Sequence, residues 1–333
     1  MKIAFFEIEK YQEDYIRGRL KKHELIFFKG ILNNKNIKYV KNFDIVSVFI
    51  YSNLNKNIIN KFEKLKAIIT RSTGFEHIDI EECKKKKIKI LNIPFYGGNT
   101  VAEHTFALIL DLSRKIHESY THTTKGDFSL KGLRGFDLKG KIIGIIGVGN
   151  IGIRVARIAK GFEMNILAYD LKKNKKVEKS LGVKYCSLNN LLKKSDIISL
   201  HCPHNKKTHY LINKENIKLI KKGAYLINTA RGGLIETDAL VKALLKKQLG
   251  GAGLDVIEEE SLIKEEAQLL SKNFPKKNLS NLIKNHLLLT FKGVVITPHN
   301  AFNSKESLQR ILDVSLENIK SILENKSSKN LVT

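Results

Sequence analysis

Residues 141–170 read KIIGIIGVGNIGIRVARIAKGFEMNILAYD, and this stretch decides the fold. An Ile-rich run ends at three glycines, Gly147, Gly149 and Gly152. An amphipathic run follows, and a second apolar run closes on Asp170, eighteen residues past the last glycine. Glycines cluster in many turns, so their spacing alone carries little. Between a strand and a helix the spacing has a mechanism. Gly147 permits the tight turn, Gly149 lets a pyrophosphate approach the backbone, and Gly152 lets the helix pack on the strand. The helix start at Asn150 and Ile151 offers free N–H groups and partial positive charge to phosphates. Asp170 is placed to accept both ribose hydroxyls of an adenosine and would repel a 2′-phosphate. The expected cofactor is therefore NAD rather than NADP, a preference that Lys172 and Lys173 soften.

Outward from this unit, β-rich and amphipathic runs alternate. Before it stand KIAFFEI (2–8), HELIFF (23–28), DIVSVFIY (44–51), KAIITRS (66–72) and IKILNIP (88–94), with helical spacing in 57–65 and 77–87. After it come IISLHCP (197–203), AYLINTA (224–230), GAGLDV (251–256) and GVVITPH (293–299). Alternation of this kind gives α/β architecture, here two doubly wound parallel-sheet domains. Between the two series, residues 99–120 read as one long helix, apolar on more than one side, that needs cover from deep core or a subunit interface. Residues 303–325 read as an amphipathic helix, with Asn303 and Glu306 at capping-box spacing.

The 333 residues suit two domains and no stretch approaches a membrane span. The N-terminus reads as a first strand rather than a signal peptide. Cys83, Cys186 and Cys202 are odd in number and far apart, which argues against a disulfide framework and for a reducing, cytoplasmic setting. The net charge of +26 would fit a nucleic-acid binder. Its lysines are spread as doublets, however, with no zinc-finger spacing and no RNA-binding aromatic motif. No specific nucleic-acid partner is expected, and the positive field serves to draw in small anions.

In a doubly wound sheet, chemistry gathers beyond the carboxyl ends of the strands. There AYLINTARGG delivers Arg231, GAGLDVIEEE delivers Asp255 and Glu260, and GVVITPH delivers His299. Singly these are a surface cation, members of an acidic run and a loop imidazole. Together they are the groups that a hydride-transfer site for a 2-oxo acid requires. A guanidinium grips the carboxylate in bidentate fashion and polarises the carbonyl, an imidazolium donates the proton, and a carboxylate keeps that imidazole charged and aimed. His201, Cys202, His204 and His209 resemble metal ligands in composition, but adjacent strand residues point opposite ways, so no metal is expected.

Five blocks in order, GIIGVGNIG, LHCPHNKKTHYLIN, LINTARGGLIE, GAGLDVIEEE and ITPHNAF, resemble the NAD-dependent D-isomer-specific 2-hydroxyacid dehydrogenases along essentially the whole chain. The resemblance implies a Rossmann NAD domain (101–299) inserted in a flavodoxin-like substrate domain (1–100 plus 300–333). It implies Arg231 as the carboxylate-binding residue, Glu260 as partner of the histidine and His299 as acid/base, with Asp255 near the nicotinamide. Cofactor contacts at His201, Pro203, Thr229 and Ala230 follow in the same way, as does a substrate cradle at the amides of Thr73 and Gly74. Ser261 stands where many members have proline, and the long segment between Glu260 and His299 resembles the D-lactate dehydrogenase branch. In that branch Tyr96 and Phe302 would line a small apolar pocket. The implied reaction is NADH-dependent reduction of pyruvate to D-lactate. The alternatives are a bulkier 2-oxo acid such as 2-oxoisocaproate, or a non-enzymatic NAD-sensing protein of the same fold. A homodimer through the helix near 101–118 is also implied.

Overall fold

Parallel strands covered on both faces need continuous apolar runs, and Ile142–Ile146 and Ile197–Leu200 supply them at the centre of a seven-stranded sheet. The computed structural model describes residues 1–258 and 276–332, with side chains described at 1–258 and 283–332. The chain forms two units, Met1–Tyr96 with Asn303–Thr333, and Gly97–Phe302.

The first unit holds β1 (Lys2–Phe5), α1 (Lys10–Arg19), β2 (Glu24–Phe27), β3 (Ile45–Val48), α2 (Lys56–Ile59), β4 (Ala67–Thr70), α3 (Ile80–Lys85), β5 (Lys89–Leu91) and the last helix, Lys305–Leu323. Its sheet runs β2-β1-β3-β4-β5 with every neighbour parallel, the flavodoxin-like order. One face is covered by Val46, Ile68 and Ile90 with their partners. The other packs Ile45, Ile69 and Leu91 against Leu312, Leu316 and Ile319 of the last helix. Beyond the strand ends sits Arg71, only 2 % exposed, which donates to Ser47 Oγ, Phe6 O and Glu7 O. Burial pushes this guanidinium down to about 10, and Glu7 opposes the shift. The Glu7 carboxylate in turn accepts from Phe49 N, Tyr51 N and Ser52 Oγ, so buried Arg71 and half-buried Glu7 tie three strand ends together.

The second unit holds α4 (Gly98–Arg114), α5 (Ile116–Thr123), β6 (Ile142–Ile146), α6 (Asn150–Gly161), β7 (Asn165–Tyr169), α7 (Lys175–Leu181), β8 (Lys184–Tyr185), α8 (Leu188–Lys194), β9 (Ile197–Leu200), β10 (Ala224–Asn228), α9 (Thr237–Leu245), β11 (Leu249–Leu254), the helix Lys276–Thr290 and β12 (Val294–Ile296). Its sheet runs β12-β11-β10-β9-β6-β7-β8, again all parallel, which is the Rossmann order with a seventh strand beyond β11. The order reverses between β6 and β9. A crevice for ligand therefore opens at the carboxyl ends of those two strands.

Two local expectations are corrected. The helix over 99–120 breaks at Lys115, which takes the left-handed conformation (φ 54°). Asp111 stabilises the break by accepting from His117 N at 2.8 Å and pairing with His117 Nδ1 at 3.0 Å. The last helix is capped by Ser304, whose hydroxyl accepts from Ser307 N, and Asn303 lies outside it. The short Ser side chain reaches the free amide three residues on, and Glu306 becomes a first-turn acid. Among the described residues no helix is long and apolar enough to cross a membrane, and all three cysteines are free.

Candidate active site

The turn after β6 is built by close approach. Gly147 has φ 92°, and a Cβ there would lie 2.7 Å from Cys202 N. A Cβ on Gly152 would lie 2.0 Å from Gly147 O, so α6 rests directly on the turn. The buried face of α6 then continues through Val155, Ala156 and Ala159. At Gly149, the N-cap of α6, a Cβ meets nothing within 4 Å. The amides of Asn150 and Ile151 belong to the first turn and have no intrahelical acceptor. Asp170 closes the pocket from β7. It accepts from Val148 N at 2.7 Å and from Lys172 N at 3.0 Å, and it remains half-exposed for a further donor. His201, at the end of β9, shares a 2.8 Å hydrogen bond with Ser199 Oγ, while its buried Nδ1 has no partner in the protein. Burial pushes this imidazole down to about 3, so it is neutral at physiological pH. Open space at Gly149, free helix-start amides, a half-exposed carboxylate and an unpartnered ring nitrogen suit a dinucleotide.

The neighbouring strands β10, β11 and β12 carry the remaining groups on one edge of the sheet. After β10, the buried Asn228 side chain accepts from Ala230 N and donates to Arg231 O, which folds residues 228–231 into a fixed turn. Arg231 is half-exposed and donates to Ala230 O. Gly232 leaves no room for a side chain, because its Cβ would lie 2.1 Å from Ile257 O. After β11 comes Asp255, 1 % exposed. One of its oxygens accepts from Thr297 Oγ1 (2.5 Å) and Asn300 N (2.9 Å), and the other accepts from Ala301 N (2.9 Å). Burial disfavours its charge. The donors from His104, Thr297, Ala301 and Asn300 outweigh that effect and hold the carboxyl below the usual carboxylate range. After β12, Pro298 centres a three-residue turn closed by His299 N donating to Thr297 O (2.9 Å). The turn leaves His299 half-exposed with φ 54°, a conformation a non-glycine residue keeps only when its surroundings enforce it.

The NAD-binding-domain model of the D-isomer specific 2-hydroxyacid dehydrogenases matches residues 106–301. The chain belongs to this family. A 2-hydroxyacid dehydrogenase homolog of Haemophilus influenzae is 36 % identical, covering 100 % of this chain and 99 % of its own. The D-lactate dehydrogenase of Escherichia coli is 32 % identical over 99 % of both chains. The D-lactate dehydrogenase of Aquifex aeolicus, solved with NAD and lactic acid, superposes with a TM-score of 0.88 at 36 % identity, over 99 % of this chain and 98 % of that one. This dehydrogenase is accordingly an NAD-dependent oxidoreductase built from two parallel α/β sheets.

Within the dehydrogenase, the structure brings Gly147, Gly149, Asn150, Ile151, Gly152, Asp170 and His201 to one turn, and Arg231, Asp255 and His299 to three adjacent strand ends. Pro203 is exposed just past His201. Thr229 is buried, with its hydroxyl 3.0 Å from that of Thr105, and Ala230 lies in the Asn228 turn. In the first unit, Thr73 donates its hydroxyl to Ile93 O and its carbonyl accepts from Asn92 Nδ2. Gly74 O accepts from Ser72 Oγ. Tyr96 O accepts from Arg310 Nε, and Phe302 is half-exposed at the end of the second unit. Glu260 lies outside the described residues. His204 Nε2 and His209 Nδ1 share a hydrogen bond of 3.0 Å, and among the described residues no three His, Cys, Asp or Glu come together to hold a metal. Sequence reasoning missed Asn228 and His104. Asn228 stands at the end of a strand three residues before the glycine-backed Arg231, which was a usable signal. The partners of His104, Asp255 and Thr297, lie more than 150 residues away and left no signal.

Two measurements test this geometry. Gly149→Ala should fold with an unchanged melting temperature yet lose NADH binding, read by nucleotide fluorescence, whereas Gly152→Ala should lose both. NADH affinity retained in Gly149→Ala would remove the pyrophosphate from that space. For Asp255 the folded-state carboxyl is lowered, so its contribution is fully present above its unfolded value of about 3.9 and is lost as pH falls through the folded value. The stability margin of the wild type over Asp255→Asn, measured by urea unfolding, should be constant above about pH 4 and shrink below it. A margin unaffected by acid would mean that the charge contributes nothing.

Proposed function

We propose that this dehydrogenase interconverts pyruvate and D-lactate, with NADH as reductant. The observation that carries this reading is the delivery of Arg231, Asp255 and His299 by three adjacent parallel strands. Support for pyruvate comes from relatives named D-lactate dehydrogenase and from the structure solved with lactic acid. Arg231 binds the substrate carboxylate and polarises the neighbouring carbonyl, because its planar fork matches a carboxylate. Bound NADH supplies the hydride for the carbonyl carbon. His299 donates the proton that the carbonyl oxygen requires and takes it back in the reverse direction. Reduction consumes one proton per turnover, and the half-exposed position of His299 lets solvent replace it. Glu260 is the carboxylate we assign to keep His299 charged and aimed. In the first unit we assign the amides of Thr73 and Gly74 to the substrate carboxylate, and Tyr96 to the limit on side-chain size, a role shared with Phe302.

We further infer a homodimer through the region near 101–118 and the segment that follows it. Most apolar residues of α4 are buried within the unit, while Ile116, Tyr120, Phe128 and Leu130 are more than half exposed, and such a cluster seeks cover. Light scattering should return twice the 37.9 kDa chain mass, and a monomeric mass at micromolar concentration would refute the dimer.

Assays with a panel of 2-oxo acids should give pyruvate the highest kcat/KM. A clear preference for 2-oxoisocaproate would replace pyruvate with a bulkier substrate. His299→Gln should lower kcat by roughly 10² to 10⁴-fold with the NADH Kd unchanged. Arg231→Lys should lower kcat/KM on the order of a hundredfold, because one ammonium cannot reproduce a bidentate charged pair. Full turnover in His299→Gln would end the role assigned to that residue.

A further inference from the structure

Two adjacent polar residues on α4 take no part in the chemistry above, yet each touches a loop that does. His104 Nε2 lies 3.0 Å from Thr297 Oγ1 and 3.5 Å from Asp255 Oδ1. Thr297 gives its hydroxyl hydrogen to Asp255, so its oxygen accepts from His104, and Nε2 is the ring nitrogen that carries hydrogen. Asp255 binds the far side of the same loop through Asn300 N and Ala301 N. His299 therefore sits between two anchored points, with His104 bracing one of them. One residue on, the hydroxyl of Thr105, which is fully buried, lies 3.0 Å from that of Thr229, two residues before Arg231.

The helix is itself set firmly against the sheet. Leu108 and Leu112 pack onto Gly253 of β11, where a Cβ would lie 3.0 Å from Leu108 Cβ and 3.3 Å from Leu112 Cδ1. α4 thus reaches the sheet as closely as its side chains allow. A residue at 104 or 105 transmits that fixed position to whatever it holds.

We propose that His104 is a positioning residue for His299, and that Thr105 serves Arg231 in the same way. One helical turn then sets the spacing between proton donor and carboxylate clamp. The proposal rests on the roles assigned above to His299 and Arg231. It requires reach as well as chemistry, because the hydrogen-bonding nitrogen of His104 is the one farthest from the backbone.

The test is a reach series read in kinetics. His104→Leu should lower kcat with pyruvate by about tenfold to a hundredfold, the loss expected when a reacting group is displaced by about 1 Å. The NADH Kd should change little. His104→Gln, whose amide nitrogen extends as far as Nε2, should recover most of kcat, while the shorter His104→Asn should not. In a His299→Gln background, His104→Leu should cause no further loss, whereas Thr105→Val should still lower the rate. Losses by His104→Leu that multiply with those of His299→Gln would overturn the proposal. So would an unchanged kcat alongside a lowered melting temperature, which would make His104 structural only. Should His104→Leu fail to fold, the Gln and Asn variants decide alone, and equal kcat in the two overturns the proposal. Full turnover in His299→Gln defeats the acid assignment itself; an inactive His299→Gln beside a fully active His104→Leu defeats the positioning alone.

Discussion

A carboxylate buried at the end of a strand has to find donors, and Asp255 finds its donors in the loop that carries His299. Taking a charge out of water is costly unless hydrogen bonds replace the lost solvation. Here the replacement comes from Thr297, Asn300 and Ala301, so satisfying the charge and shaping the loop are one event. The left-handed backbone of His299 follows from it. Two amides just past position 299 point at one carboxylate, the threonine just before it points at the same group, and the residue between must turn sharply.

This clamp has meaning only because the sheet is parallel. Parallel strands leave the sheet at the same edge, so β10, β11 and β12 end side by side although their sequences are widely separated. The same edge carries the turn after β6 and the Asp170 end of β7. The residues of the glycine turn, Arg231, Asp255 and His299 thereby share one rim of the second unit without any long-range search by loops. The first unit obeys the same rule with a different device. Its strand ends are joined by Arg71 and Glu7 rather than by a single carboxylate.

What could be read from the sequence was whatever local constraint had written into it. The strands appeared as Ile-rich runs because both faces of a parallel sheet are buried. The nucleotide turn appeared as glycines because contacts such as that of Gly152 with Gly147 O span only a few residues. Arg231, Asp255 and His299 were legible because strand ends can be counted. The contact of His104 with Thr297 was not, because it joins residues 193 positions apart. The break at Lys115 was hidden for a different reason. Its left-handed residue is a lysine, and the side chain that supports the break is Asp111, inside an otherwise regular helical pattern. The cap at Ser304 escaped because two capping candidates stood side by side, and the choice between them depends on backbone angles.

The three glycines of the nucleotide turn look equivalent in sequence and are not equivalent in physics. Gly147 is required by its own positive φ and by the backbone of His201 and Cys202 just past β9, and Gly152 by the carbonyl it rests upon. Both would be glycine in a protein that bound nothing there. Gly149 has φ −82° and ψ −155°, an extended conformation with negative φ, and empty space where a side chain would stand. Nothing in the chain itself asks for glycine at that position. The missing side chain leaves open space beside the helix-start amides, and those amides favour an anion. Of the three, Gly149 is the residue through which the ligand itself is legible in the fold.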